Sequence, residues 1–223
     1  AGSFALNTST GPQSITGVGF TPKLVLFTTV PDTADISTDV ANFHQSFGAA
    51  DGTTQFSVNA ASVNGQDTSD SNRQQINSRI FIAWDPPGST TVDYEASFTS
   101  MDSDGFTIDV LDAPGVGYKV GYLALGGSEL LATINTFTPT AGTGTKTVTG
   151  VGFQPSAVIL ASTNSAAGTA TGFWDLFGKD VGLILIEWAD RLEGKWWDSS
   201  WSVISLDFSV EKEKRRVEQI TRL

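Results

Sequence analysis

Residues 14–27 and 147–160 are two copies of one segment. The first reads Ser-Ile-Thr-Gly-Val-Gly-Phe-Thr-Pro-Lys-Leu-Val-Leu-Phe and the second Thr-Val-Thr-Gly-Val-Gly-Phe-Gln-Pro-Ser-Ala-Val-Ile-Leu, with seven identical positions. The same offset brings Phe4 onto Phe137 and Gly11 onto Gly144. A repeat that keeps register over so many residues indicates tandem duplication, so the chain folds as two related modules. Beyond a small slip, Phe43-x-x-x-Phe47-Gly48-x-x-x-Gly52 aligns with Phe173-x-x-x-Phe177-Gly178-x-x-x-Gly182. Ile80–Trp84 then aligns with Ile184–Trp188 if the second copy is about 26 residues shorter, a gap read directly from the two spacings.

The repeat is a β repeat. Pro22 and Pro31 bracket an apolar run, Lys23 to Val30, that reads as a buried strand. Arg79 to Trp84 forms another, and Thr91 to Met101 alternates through Val92, Tyr94, Ala96 and Phe98, the mark of a strand with one wet face. Asp102-Ser103-Asp104-Gly105 makes a hairpin turn into Phe106–Val110, and Tyr118–Leu125 closes the first module. No helical periodicity intervenes. The expected fold is all-β: two tandem antiparallel β-sandwich modules, jelly-roll-like, the second shortened. The first spans residues 1–128 and carries a long polar loop, 53–78, with an Asn64-Gly65 turn at its tip; the second spans 129–223. Ser128–Thr133, short and partly apolar, joins them in a fixed relation.

Composition narrows the chemistry. Without cysteine there is no disulfide, thiolate nucleophile, zinc finger or iron–sulfur cluster. His44 is the single histidine, so a two-histidine metal site is excluded and a Ser-His-Asp triad has one possible centre. Asp39 and Asp51 lie near it in sequence, but its counterpart in the second copy is Trp174, which transfers no proton. Gly17-Val18-Gly19 and Gly150-Val151-Gly152 lack the helix and third glycine of a nucleotide-binding loop. Asp102-x-Asp104-Gly105 lacks the closing glutamate of a calcium loop. No cofactor, metal or catalytic residue is expected, although fourteen acids precede residue 130 and composition alone does not dismiss a carboxylate pair for glycan hydrolysis. The net charge of −11 repels nucleic acid and anionic lipid. The N-terminal Ala1–Leu6 has no basic flank and Leu183–Ile186 is far too short to span a bilayer, so neither signal peptide nor membrane insertion is expected.

The two halves differ in character. Residues 1–178 hold 5 basic and 15 acidic groups, a net of −10, whereas 179–223 hold 8 and 9, a net of −1. Five of the six tryptophans lie at 174, 188, 196, 197 and 201. Tryptophan is enriched at interface centres, so Trp174, Trp196, Trp197 and Trp201 are candidate contact or ligand-stacking residues, or the filling of a shortened core. The Lys214-Arg215-Arg216 cluster either is a solvated face or pairs with the acidic module of a neighbouring chain. Its surroundings, Glu211–Leu223, read as a last strand equivalent to Lys119–Leu125 or as a short helix.

The residues Gly17-Val18-Gly19-Phe20-Thr21-Pro22-Lys23-Leu24-Val25-Leu26-Phe27, with Asp102-Ser103-Asp104-Gly105-Phe106-Thr107-Ile108 and Gly117–Gly127, resemble tailed-bacteriophage virion proteins. In that family a Gly-x-Gly-Phe-x-Pro-Lys turn-strand opens a β module of tail fibres, head fibres and capsid decoration proteins. The resemblance covers most of residues 1–127 and returns at 144–160; residues 183–223 do not follow the pattern. It implies a non-enzymatic virion component whose partners are other capsid or tail proteins. Self-association into a homo-oligomer is expected as well, since it protects sheet edges. The alternative from a different class is a carbohydrate-binding or host-adhesion module in which Trp196, Trp197 and Trp201 stack on a host-surface glycan.

Overall fold

A computed structural model describes residues 1–31, 33, 42–65, 71–84, 91–138, 143–162 and the backbone of 181–188. All regular structure among these residues is β, in thirteen strands and three antiparallel sheets.

The first copy is a two-sheet sandwich. One sheet has six strands: β1 (Gly2–Ala5), β10 (Lys119–Gly126), β3 (Pro22–Thr29), β4 (Asn42–Ala50), β5 (Gln55–Val63) and β6 (Ser71–Ile76), in that spatial order. The other runs β2 (Gly11–Thr16), β9 (Gly105–Asp112), β8 (Val92–Asp102), β7 (Phe81–Trp84). Between them lie Ile15, Val25, Phe27, Phe81, Tyr94, Phe106, Ile108 and Val120. Phe106 meets Phe27 edge-on at 5.5 Å and Tyr122 at 5.2 Å between ring centroids, the geometry favoured by opposed aromatic quadrupoles. The sheets come close enough over β4 that a Cβ on Gly48 would sit 1.8 Å from the Ile80 carbonyl oxygen, so only glycine fits there.

Strand β3 is apolar on both faces because both are covered. Val25 and Phe27 point into the sandwich; Leu24 and Leu26 point outward and pack with Ala49, Phe56 and Ile134. That outer layer is the second copy's sheet, in the order β11 (Leu130–Phe137), β13 (Val181–Trp188), β12 (Ala157–Ser162). Ile134, Ile159 and Ala161 fasten it to the six-stranded sheet. Leu130 already belongs to β11, so the joint is Gly127–Glu129 and not the whole of Ser128–Thr133. Lys23 clamps it, donating from Nζ to the carbonyls of Ser128 at 3.1 Å and Leu130 at 2.9 Å. Ala1–Ala189 form one compact unit; the second unit, Asp190–Leu223, lies outside the described residues.

Two further sequence expectations change. The stretch 53–78 is no loop: most of it is β5 and β6, and Gly65, just past β5, has φ 75°. Its polarity misled because the buried polar groups satisfy one another. Ser46 Oγ donates to Asn59 Oδ1, and Asn59 Nδ2 donates to Ser57 Oγ at 3.1 Å.

The second correction is the equivalence of Ile184–Trp188 with Ile80–Trp84. Across the first copy's sheet the register runs Phe4, Val120, Thr29; across the second it runs Phe137, Val181, Ser162. Phe4 and Phe137, and Thr29 and Ser162, share the repeat offset. Val181-Gly182 is therefore the counterpart of Val120-Gly121, and β13 occupies the place of β10, not of β7. Gly182 likewise is not the counterpart of Gly52. The place of Lys119–Leu125 is taken by β13; residues 211–223, read from sequence as that strand or as a short helix, lie outside the described residues. The second copy is pruned far more than 26 residues: the interval from Thr29 to Val120 has shrunk to that from Ser162 to Val181.

Candidate interaction face

The entrance turn of the first copy is a small receptor for a carboxylate. Gly17 and Gly19 have φ of 82° and 85°, which turns their N–H groups to one side. The Asp104 carboxylate fills the fork they make, accepting from Gly17 N–H at 3.0 Å and from Gly19 N–H at 2.6 Å. Val18 N–H donates to the Asp104 carbonyl at 3.2 Å. These N–H donors, Gly19 first and Gly17 next, hold the Asp104 carboxyl below the usual carboxylate range. The glycine pair thus serves a carboxylate from the same module, and the Asp102–Gly105 segment is the β8–β9 hairpin turn.

The second copy repeats the turn, and no described residue occupies its fork. Gly150 and Gly152 have φ of 82° and 84°, and Gly144 stays in the positive region, as Gly11 does. No hydrogen bond reaches the Gly150 or Gly152 N–H among the described residues. Residues 144–149, the counterparts of β2, form no strand, where β2 pairs along its whole length with β9.

The floor beside the fork is open too. A groove of about 540 Å³ is lined by Phe137, Val148, Val151, Val158 and Leu160, with Lys146 at its rim. Their first-copy counterparts, Phe4, Ile15, Val18, Val25 and Phe27, all belong to or pack against the sandwich core. Val25 and Phe27 are 0% and 1% exposed, whereas Val158 and Leu160 are 49% and 59% exposed. The inner face of a sandwich here has no opposing sheet among the described residues. The outer edge of β12, which corresponds to the edge of β3 that β4 covers, is likewise unpaired among them.

Trp174, Trp196, Trp197, Trp201, Lys214, Arg215 and Arg216 lie outside the described residues. His44 is half-buried on β4, opposite Ala61. Asp51 does not serve it: one carboxylate oxygen closes the β4–β5 turn through Thr53 and Thr54, and the other accepts from Ile134 N–H. Among the described residues no three His, Asp or Glu side chains converge as metal ligands. The groove was not singled out from sequence, although a signal was present: Val158 and Leu160 keep the core pattern of Val25 and Phe27, while no Asp-Gly-Phe strand follows them. No family model, curated protein or solved structure matches the chain.

Proposed function

We propose that this chain is a non-enzymatic structural component of a bacteriophage virion, a capsid decoration or tail-fibre protein that works through protein–protein assembly. The observation that carries this reading is the open inner face of the second copy. A sheet whose repeat-mate is a sealed core, but which itself exposes Val158 and Leu160, has the character of a contact surface. The first copy supplies the rigid, acidic body, and the Gly-x-Gly-Phe-x-Pro-Lys resemblance supplies the biological setting. Homo-oligomerisation and a location on the assembled particle belong to the same reading.

Particles purified from a phage that encodes this chain provide the test. Imaging them should reveal density for the chain on the head or tail in several copies, and its solution mass should exceed that of one chain. Absence from purified particles, together with the mass of a single chain, would overturn the proposal.

A further inference from the structure

Three features of the second copy correspond to three contacts that the first copy makes with a single element. The unpaired residues 144–149 stand where β2 pairs with β9. The Gly150–Gly152 fork stands where Asp104 is held. The floor of Phe137, Val158 and Leu160 stands where Phe4, Val25 and Phe27 meet the sheet that carries Phe106. In the first copy the element making all three contacts is the β8–β9 hairpin, with Asp104 on the fork and Phe106 two residues later in the core. The molecule therefore contains an occupied example of the site that no described residue fills in its second copy.

We infer that the groove receives a strand of an assembly partner carrying an acidic residue two positions before an aromatic one, in the pattern of Asp104-Gly105-Phe106. This rests on the assembly role proposed above and names the partner's chemistry. The strand pairs antiparallel with residues 144–149, as β9 does with β2. Its carboxylate accepts from the N–H groups of Gly150 and Gly152, and its ring lies on Val158 and Leu160. Charge complementarity selects the acid: two convergent N–H donors favour an anion, and Lys146 on the rim adds a cation where the first copy has the neutral Gln13. The occupied fork of the first copy is solvent-exposed, so what the acid adds is its charge-assisted bonds to the two N–H groups.

The full chain can be tested with a labelled peptide of residues 92–112, the β8–β9 hairpin itself, offered up to millimolar concentration. The expected result is binding at one site. Changing the peptide's Asp104→Asn should weaken it about two- to fivefold, the range for a solvent-exposed charge interaction. Leu160→Asp in the chain should abolish it without unfolding a residue that is already exposed. No binding, or equal binding of the two peptides, overturns the inference.

A photo-crosslinker placed at position 160 distinguishes the occupants. Capture of the peptide, or on particles of a protein bearing the acid-x-aromatic pattern, supports the inference. Crosslinks to residues 163–223 of the same chain, or to a second copy outside its β8–β9 hairpin, overturn it. Particles that bind the Leu160→Asp chain normally would sink this inference and leave the virion role standing; a chain that takes the peptide but is absent from particles would do the reverse.

Discussion

The Asp51 carboxylate accepts the backbone N–H of Ile134 at 2.9 Å, across 83 residues of sequence. Its other oxygen accepts from Thr53 N–H at 3.0 Å, Thr54 N–H at 2.7 Å and the Thr53 hydroxyl at 2.9 Å. One side chain thus closes the β4–β5 turn of the first copy and holds β11 of the second. Asp51→Ala should cost about 2 kcal/mol in denaturant unfolding, the loss expected when charge-assisted bonds disappear and a part-buried donor is left unmade. Asp51→Asn keeps an acceptor for the turn and should cost less. In Asp51→Ala the Ile134 amide should exchange with solvent faster, and unchanged exchange would show that the bond does not hold β11.

Phe27 and Leu160 are repeat-mates with opposite surroundings, one sealed in the sandwich and one on the open face. Phe27→Ala should destabilise by about 3–5 kcal/mol, combining lost burial and a cavity. Leu160→Ala should change stability by less than about 0.5 kcal/mol, as at an exposed site. Equal losses in calorimetry would mean that the second copy's inner face is covered after all.

Tyr94 is buried with its hydroxyl 3.0 Å from Thr29 Oγ1. Burial pushes its phenol pKa up, against the smaller opposing effect of the Thr29 bond. Since the folded value lies above the unfolded one, near 10, Tyr94 contributes stability that is full below pH 10 and lost as pH rises beyond it. Alkaline unfolding should therefore shift to higher pH in Tyr94→Phe, at a cost near neutrality of about 1 kcal/mol for the lost hydrogen bond. In ultraviolet titration of the native protein, the Tyr94 phenol should ionise above the ordinary tyrosine range.

Asp104 has the opposite sign. Its folded pKa is lowered by the Gly19 and Gly17 donors, so its contribution is present above the unfolded value of 3.8 and is lost as pH falls through the lower folded value. Asp104→Asn should flatten the acid limb of the stability curve in that range and leave the alkaline limb unchanged. An acid limb identical to that of the parent chain would show that the glycine fork does not hold the carboxylate in solution.

The strands of the first copy were readable because each had a local signature. Pro22 and Pro31 framed β3, period-two alternation through Tyr94, Ala96 and Phe98 marked β8, and Asp104-Gly105 marked the hairpin. The β5–β6 pair was not readable, since its buried Ser57 and Asn59 carry no apolar signal and are satisfied only by neighbours on the same sheet. Nor was the identity of β13. Ile184–Trp188 matches Ile80–Trp84 as well in apolar pattern as Val181–Ile186 matches Val120–Leu125, and only ladder register separates the two.

By itself, the sequence determined that the chain is a β repeat, since Gly-x-Gly turns and alternating strands are properties of a few adjacent residues. It also determined that the second copy is the shorter one. Tertiary structure alone decided the place of β13 and the exposure of Val158 and Leu160. Burial is a relation between segments far apart in the chain: Val25 and Val158 are the same residue in the same local pattern, but a distant hairpin lies across Val25 and no described element lies across Val158.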